Sequence, residues 1–556
     1  MRTRPITLAV ILACALATCG WLTWVRGAQP DLADPDPADA AYAGELLAAT
    51  RAHLDGTANA GAPQPADGIW YVSAYPHARP DPVTVQVEGS IDDWAAPLQR
   101  AWPGRLQVDR AADAPRSARP GPSGLGLDVG LDGWIEDGGR IHLPVSFLLQ
   151  GKKRSELAEF MAENPGRPLR SHAWIEDEDG GPLQLLRGSA DPGELTPALL
   201  RARCDLGGDY LVRHIRSNAR YDYAWDARGG KRLGGYNLLR HAGTTYSLFQ
   251  LYNHTGQQAH YDGAVEALDY LIDRREYAEE EPTNRCFQVA SKKVKLGGAG
   301  LTLLALVEQA KANPAEAQHE WMNCLAEHIV SQTDERGDMA SFYTDGGRYT
   351  WSDHRSIYYP GEALLGLVRL YEIDPDPRWQ ECAVRAADFL VHERWKVLGL
   401  ELQIPPDAWL IQALEVLYRQ VPDRAYADYA FDIGEVLTRY QMVSEAAPAD
   451  IRGGRISGTF PHVISTGSRG EGMAAAARLE RTERPGETFY LERLTANSTY
   501  ALRNQYTPPL LIGLRRPELA LGGFRNAADD PEIRIDGVQH NLSGLLGLLE
   551  LLEEGP

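Results

Sequence analysis

Five of six apolar segments of this chain open on polar, ionisable or aromatic residues and then run on with few charges, while the second opens on the glycines at 297–300. The first carries Tyr236, Asn237, Arg240 and His241, and the third Asp353, His354, Arg355, Tyr358, Tyr359 and Glu362. Asp407 and Trp409 open the fourth, Arg469 and Glu471 the fifth, and Arg525, Arg534, Asp536, Gln539 and His540 lead into the sixth. Cleavage of a glycosidic bond with inversion needs two carboxyls about 6.5–9.5 Å apart, one protonated and one ionised. Asp353, Glu362, Asp407, Glu471 and Asp536 supply the pool. The three aspartates also suit helix N-capping or pairing with the first-turn dipole. Glu362 stands one turn inside an otherwise apolar run, where a carboxyl requires a partner or a task. Asp536 and His540, at i and i+4, share a helix face, so the acid can set the tautomer of the imidazole. Arg240, Arg355, Arg469, Arg525 and Arg534 match the bidentate geometry of a carboxylate or sulfate. Tyr358, Tyr359, Trp351 and Trp409 offer flat faces on which a sugar ring stacks.

What must position these residues is a set of helices. The six segments start at Tyr236, Gly297, Tyr358, Pro406, Gly467 and Asp536, and are rich in Gly, Ala and Leu. Between them lie stretches with helical periodicity and a charged outer face, from Tyr261, His319, Arg378, Tyr426 and Thr488, with a sixth from Gly208. Small-faced helices alternating with amphipathic ones at intervals of roughly 50–70 residues are a repeat signature. The small residues let backbones approach, and the amphipathic set shields them from water.

This pattern resembles the (α/α)6 toroid, the six-hairpin architecture of many glycoside hydrolases, polysaccharide lyases and sugar epimerases. The resemblance covers about Gly208 to Leu552 and rests on the hairpin count and on inner-helix starts such as YPGEALLGL from Tyr359. It implies that inner-helix N-termini ring one mouth and that a sugar site lies there. Free N–H groups and helix dipoles at such a rim favour anions. First and sixth inner helices are neighbours in a closed ring, so His241 and His540 are expected to face one opening. The expected catalytic set is Glu362, Asp407, Asp536, His540, His241 and Asp353. The expected substrate-binding set is Arg240, Tyr236, Tyr358, Tyr359, Trp409, Arg355, Arg469, Arg534 and Gln539, with no cofactor or metal. Hydrolysis of an acidic poly- or oligosaccharide is the leading expectation. Epimerisation or β-elimination through His241, His540 or Tyr359 is the alternative, and a non-catalytic glycan- or protein-binding toroid is a third reading.

The rest of the chain sets the context. Of 556 residues, 56 are Lys or Arg and 76 Asp or Glu, a formal charge of −20 that repels phosphate backbones and argues against nucleic acid as a partner. Arg2 and Arg4 precede an uncharged run from Ile6 to Val25, and Arg26 follows it. Twenty residues at about 1.5 Å rise cross the hydrocarbon core of a bilayer. Residues 1–27 therefore read as a signal anchor or signal peptide, with residues 6–25 meeting the membrane and the bulk of the chain exported to the cell envelope. Residues 28–40 are a Pro/Asp/Ala linker, residues 41–190 an α+β module, and residues 200–556 the toroid, so the fold class is mainly α. Within the module, the segment from Gly130 (GLDGWIEDGGRIHLP) resembles part of the AMMECR-type domain, and no residue function follows from it. Six cysteines are widely scattered without a CxxC, so neither a zinc knuckle nor a disulfide framework is expected, and Cys324 and Cys382 read as apolar fillers of outer helices. DDxxD, DxDD and GxSxG are absent, and the glycines at 297–300 lack the Lys-Ser/Thr of a phosphate loop.

Overall fold

The computed structural model describes residues 37–57, 69–76, 83–88, 90–102, 104–112, 133–136, 141–142, 166–176, 181–186, 189–344, 355–399, 403–445, 447, 449–456, 460–511, 514–528 and 530–555. The hydrophobic run at 6–25, the linker residues before Pro37, and Trp351, Asp353 and His354 lie outside them. Among the described residues no helix is long and apolar enough to cross a membrane.

The amino-terminal module packs helix α1 (Pro37–Leu54) on an antiparallel sheet. Its strands are β1 (Ile69–Pro76), β2 (Val83–Gln86), β3 (Gly104–Ala112), β4 (Gly133–Glu136), β5 (Ile141–His142), β6 (Gly166–Glu176), β7 (Pro182–Leu186) and β8 (Ser189–Ala190). The spatial order is β2-β1-β3-β6-β4-β5, with β7 paired to β6 and β8 to β7. A short helix α2 (Ile91–Ala95) follows β2, its first turn closed by a capping box between Ser90 and Asp93. The core is aromatic: Tyr42 of α1 meets Trp70 edge-on at 4.8 Å, and Trp70 lies 5.9 Å from Trp174. Helix α1 opens at Pro37, inside the stretch read from sequence as linker. The AMMECR-like segment is described only over β4 and β5.

Beyond Thr196 the described residues form twelve principal helices. Six are inner: α4 (Leu238–Thr255), α6 (Leu296–Ala312), α8 (Tyr359–Tyr371), α11 (Ala408–Gln420), α13 (Val463–Glu483) and α16 (Ile535–Glu553). Six are outer: α3 (Pro197–Arg213), α5 (Gln258–Ile272), α7 (His319–Ser331), α9 (Pro377–His392), α12 (Arg424–Thr438) and α14 (Phe489–Arg503). Short helices α10 (Arg394–Leu398) and α15 (Pro517–Ala520) lie in the connections. Each inner helix packs on the next, α4 on α6, α6 on α8, α8 on α11, α11 on α13, α13 on α16, and α16 back on α4. That cyclic order is a closed (α/α)6 ring.

The ring closes because its inner faces are nearly free of side-chain bulk. Every residue of α6 from Leu296 to Ala310 is buried, and a Cβ on Gly300 would lie 2.5 Å from the Glu362 carbonyl oxygen. Only glycine lets α6 and α8 meet this closely. The outer helices bring the amphipathic pattern, with Trp379, Cys382, Ala386 and Leu390 buried on α9.

Two four-stranded sheets that the sequence pattern does not reveal sit at the helix starts. One is ordered β10 (Lys231–Leu233), β9 (Ala224–Asp226), β16 (Asp530–Arg534), β15 (Arg525–Ala527), and β16 runs directly into α16. The other is ordered β11 (Arg275–Tyr277), β12 (Cys286–Ala290), β13 (Lys293–Lys295), β14 (Phe342–Tyr343), and β13 runs directly into α6. A disulfide joins Cys286 of β12 to Cys324 of α7, so the reading of Cys324 as a filler is corrected, whereas Cys204 and Cys382 are free and buried.

At the opposite end, where the inner helices finish, ion pairs run from helix to helix around the ring. His254 meets Glu550 (2.9 Å), Glu550 meets Arg478 (3.3 Å), and Arg478 meets Glu415 (3.5 Å). Glu415 meets Arg419 (2.9 Å), Arg419 meets Glu372 (3.6 Å), Glu372 meets Lys311 (3.2 Å), and Lys311 meets Glu308 (3.3 Å). Asn253 then donates to Glu308 (2.8 Å) and returns the circuit to α4.

Candidate active site at the mouth of the ring

The amino ends of the inner helices bring distant parts of the chain to one rim. Glu362 stands in the first turn of α8, buried among α6 and α11. Its side chain lies where a Cβ on Gly297 would have to be, so the glycine creates the space that the carboxyl occupies. Oε2 of Glu362 is buried with no hydrogen-bond partner. Burial, reinforced by the charge of Asp407 and only partly offset by Lys295, pushes this carboxyl up to about 8. Glu362 is therefore a neutral acid at pH 7. Tyr359, one turn before it on α8, has its phenol raised to about 12 by burial and by Glu362.

Asp536, in the first turn of α16, has the opposite environment. Arg534 donates to both of its oxygens, Nε to Oδ1 at 2.6 Å and Nη2 to Oδ2 at 2.9 Å, and Arg240 of α4 pairs with Oδ2 at 2.9 Å. Burial opposes its ionisation, but the two guanidiniums outweigh it and hold Asp536 below the usual carboxylate range. One turn on, His540 shares its Nδ1 proton with Glu471 of α13 at 2.9 Å, while Gln539 donates to the other oxygen of Glu471 at 2.8 Å. Burial disfavours the imidazolium, yet Glu471 and Asp536 raise the His540 pKa above its ordinary value. Burial raises the Glu471 carboxyl, with His540 pulling the other way. Trp409 of α11 packs 6.0 Å from the His540 ring.

Several expected site residues are placed elsewhere. His241 does not face the opening with His540. It is fully buried between α4 and α5, its Nε2 donating to the Ala267 carbonyl at 2.8 Å and its Nδ1 accepting from Tyr236 at 2.6 Å. Tyr221, Tyr236 and Tyr270 surround the ring, and burial depresses it to about 3, so it is neutral and already partnered. Tyr236 is thereby part of that packing, with Arg220 over its face at 3.8 Å. Asp407 is the N-cap of α11, accepting from the Leu410 amide at 3.1 Å, and pairs with buried Arg394 at 3.0 Å. Both oxygens are thus engaged. Arg355 pairs with Asp338 at 3.3 Å, and Arg525 donates to Asn504 and to Ser189 of the amino-terminal module, 2.8 Å in each case.

Among the arginines expected to hold an anion, Arg469 has no carboxylate within ion-pair distance among the described residues. Its Nη1 donates to the Ser465 carbonyl of its own helix at 2.8 Å, and its Nε is buried without a partner. Burial and the nearby positive charge of Arg455 lower its pKa to about 10, with Tyr358 opposing. Tyr358, at the start of α8, is 45% exposed and senses both Arg469 and Asp407. Two cations at this end escaped the sequence pattern. Lys295 caps α6 beside Glu362 and Arg240, and burial together with Lys293 lowers its pKa. Arg455 precedes α13 and stands near Arg469. Lys295 was findable as the cation two residues before the GGAG run; Arg455 lies in an irregular segment with no such signal.

Solved structures similar to this chain include a D-mannose isomerase, at TM-score 0.48 and 13% identity over 64% of this chain and 98% of that one. A cellobiose 2-epimerase from Bacillus thermoamylovorans B4167 is similar at TM-score 0.48 and 11% identity, over 63% and 98%. A GH76 α-mannanase of Bacteroides thetaiotaomicron is similar at TM-score 0.46 and 10% identity, over 66% and 99%. No family model matches the chain. No curated protein matches it either. The closed ring rests on the helix contacts described above, not on these likenesses.

Proposed function

We propose that the mouth of the ring is the active centre of a carbohydrate-active enzyme, hydrolase-like, acting on an acidic oligo- or polysaccharide. The observation that carries this reading is the pair of carboxyls at one rim with opposed environments. Glu362 is kept neutral by burial beside Gly297, and Asp536 is kept ionised by Arg534 and Arg240. Environments that drive two carboxyls apart assign acid and base. Glu362 would protonate the leaving oxygen, and Asp536 would orient and deprotonate the attacking water. Trp409 and Tyr358 supply ring faces, and Lys295 and Arg469 the positive charge for an acidic sugar.

A second reading has one specific support. The His540–Glu471 pair is an oriented proton carrier, suited to moving a proton at a sugar carbon in epimerisation or β-elimination. One panel of uronate-containing oligosaccharides in deuterated buffer separates the two. New reducing ends mean hydrolysis, deuterium on a ring carbon means epimerisation, and an unsaturated uronate means elimination. Hydrolysis is expected, with Glu362→Gln and Asp536→Asn each lowering kcat about 10²–10⁴-fold. Wild-type turnover undiminished in both variants removes the reading.

We also place the bulk of the chain outside the cytoplasm. The Cys286–Cys324 bond suits an oxidising compartment, and the basic and apolar run at 2–26 suits export or a membrane tether. Alkaline phosphatase fused after residue 40 should be active in cells; an inactive fusion contradicts this.

A further inference from the structure

We infer that the amino end of α6 seats the carboxylate of a uronic acid residue, held by the Gly297 and Gly298 amides and the Lys295 ammonium, with Glu362 against it. This rests on the carbohydrate reading above and adds where, and through which group, the sugar is held. The first amides of a helix have no carbonyl to meet within it, and they carry the positive end of its dipole. In this ring α4 and α11 close theirs with side chains: Asn237 accepts from the Leu239 amide at 2.9 Å, and Asp407 from that of Leu410 at 3.1 Å. In α6 the Leu296 amide goes to the Ser341 carbonyl at 3.1 Å, but no side chain caps the helix and no acidic residue stands in its first turn. Gly297 and Gly298 follow, so no side chain of their own screens those amides. Lys295, the N-cap residue, is partly buried and has no ion pair among the described residues.

A second observation points to a ligand at this end. Glu362 is 6% exposed, and its Oε2 has no hydrogen-bond partner. That oxygen overlaps the point where a Cβ on Gly297 would stand, so α8 aims the carboxyl at the start of α6. Cδ1 of Tyr359 lies 2.9 Å from the same point, and the Tyr359 ring is 6.0 Å from that of Phe342. Phe342 is in turn the partner of Lys295 across β13 and β14, which closes the circle of contacts. Uncapped amides, an ammonium without an anion and a buried carboxyl without a partner thus meet at one place, and a carboxylate supplies what each of them lacks. Its two oxygens serve the amides and Lys295 on one side and Glu362 on the other. A carboxyl and a carboxylate in contact share one proton, which keeps Glu362 in the protonated state that the acid role requires. One ammonium and one shared proton match a group of single negative charge, and the Tyr359 ring borders the sugar that carries it.

The test measures binding, so it stands apart from turnover. Galacturonate and glucuronate trisaccharides, their amidated counterparts and inorganic sulfate are titrated calorimetrically into the full chain and into Lys295→Met, Lys295→Arg, Glu362→Gln and Glu362→Met. Circular-dichroism melting confirms that each variant is folded. The wild type should bind one of the acidic trisaccharides at least about ten-fold more tightly than its amide, with hydrogen exchange slowed over residues 295–300. Lys295→Met should bring acid and amide within about two-fold, and Lys295→Arg should keep part of the preference. Glu362→Gln retains an N–H donor and should bind within about three-fold of wild type, whereas Glu362→Met should bind about ten-fold more weakly. Equal binding of acid and amide, no saturable binding of either acid, a preference that survives Lys295→Met, or unchanged exchange over 295–300 overturns the inference. Inorganic sulfate binding as tightly as the acidic trisaccharide also overturns it, because the site then reads a free anion and not a sugar. If the preference follows Lys295 but the wild type cleaves no oligosaccharide, the seat stands and the hydrolase reading falls. Cleavage with acid and amide bound equally removes the seat and leaves the hydrolase reading.

Discussion

At the carboxyl ends of the six inner helices, acidic and basic groups answer one another around the ring; at the amino ends Asp536, Asp407 and Glu471 are answered, but Glu362 is not. Glu415 is held between Arg419 and Arg478, and Glu372 between Lys311, Arg369 and Arg419. The cations there also complement the negative ends of the helix dipoles. The mouth instead holds Glu362, which has neither a hydrogen bond to Oε2 nor an ion pair among the described residues, whereas Oε2 of Glu415, also without a hydrogen bond, has Arg478 at 3.5 Å. Both ends draw on the same helices, so the difference is not one of scaffold. A closed circuit serves stability, whereas unmatched groups at a rim are what a ligand has to meet.

Breaking the contrast at its most buried ion pair should have the largest effect on stability. Arg394 and Asp407 belong to the mouth yet behave like the base, paired and inaccessible. Arg394→Met leaves Asp407 buried without its cation and should destabilise the fold by about 3–5 kcal/mol in urea denaturation. A loss below 1 kcal/mol would mean that Asp407 is not the buried anion described.

The mouth makes the opposite prediction at Glu362. Its ordinary pKa of 4.5 in the unfolded chain rises to about 8 on folding. Between those values the folded state binds more protons than the unfolded one, so stability falls as pH rises through the window. Glu362→Gln removes that dependence. The variant should be more stable than wild type by roughly 2–4 kcal/mol at pH 8.5. The advantage should vanish below about pH 4.5, when both side chains are neutral, as followed by denaturation at each pH. On the proposed reading, a residue whose removal is costly to activity is then one whose removal stabilises.

A smaller effect sharpens the comparison from the other side. Glu415→Gln weakens the circuit at a site 3% exposed, and should lower stability by about 1–3 kcal/mol while leaving kcat within two-fold of wild type. A large loss of kcat at unchanged stability would show that the two ends are coupled.

The helices and the ring were legible because period and small-residue content are local properties, and α7 starts at the expected His319. The sheet strands were not, since runs of three residues such as Lys293–Lys295 carry no alternation to detect. Among the candidate site residues, Glu362, Asp536 and His540 lie in the first two turns of inner helices at one end of the ring, where the pattern of helix starts put them. It could not show that Asp407 is answered by Arg394 from a connecting helix, or that the His241 ring turns to a carbonyl of α5. Those are tertiary partners with no mark in spacing. Cys286 and Cys324 lie 38 residues apart on a strand and an outer helix, and their pairing likewise appears only in three dimensions.

The claim on which the rest depends is that the mouth holds one neutral carboxyl, Glu362, and one ionised carboxyl, Asp536. Infrared difference spectra of wild type minus Glu362→Gln across pH 5–10 read this directly. The expected result is a protonated carboxyl C=O band at pH 7 that disappears with a midpoint near 8. A difference spectrum at pH 7 showing only the carboxylate stretch would contradict it.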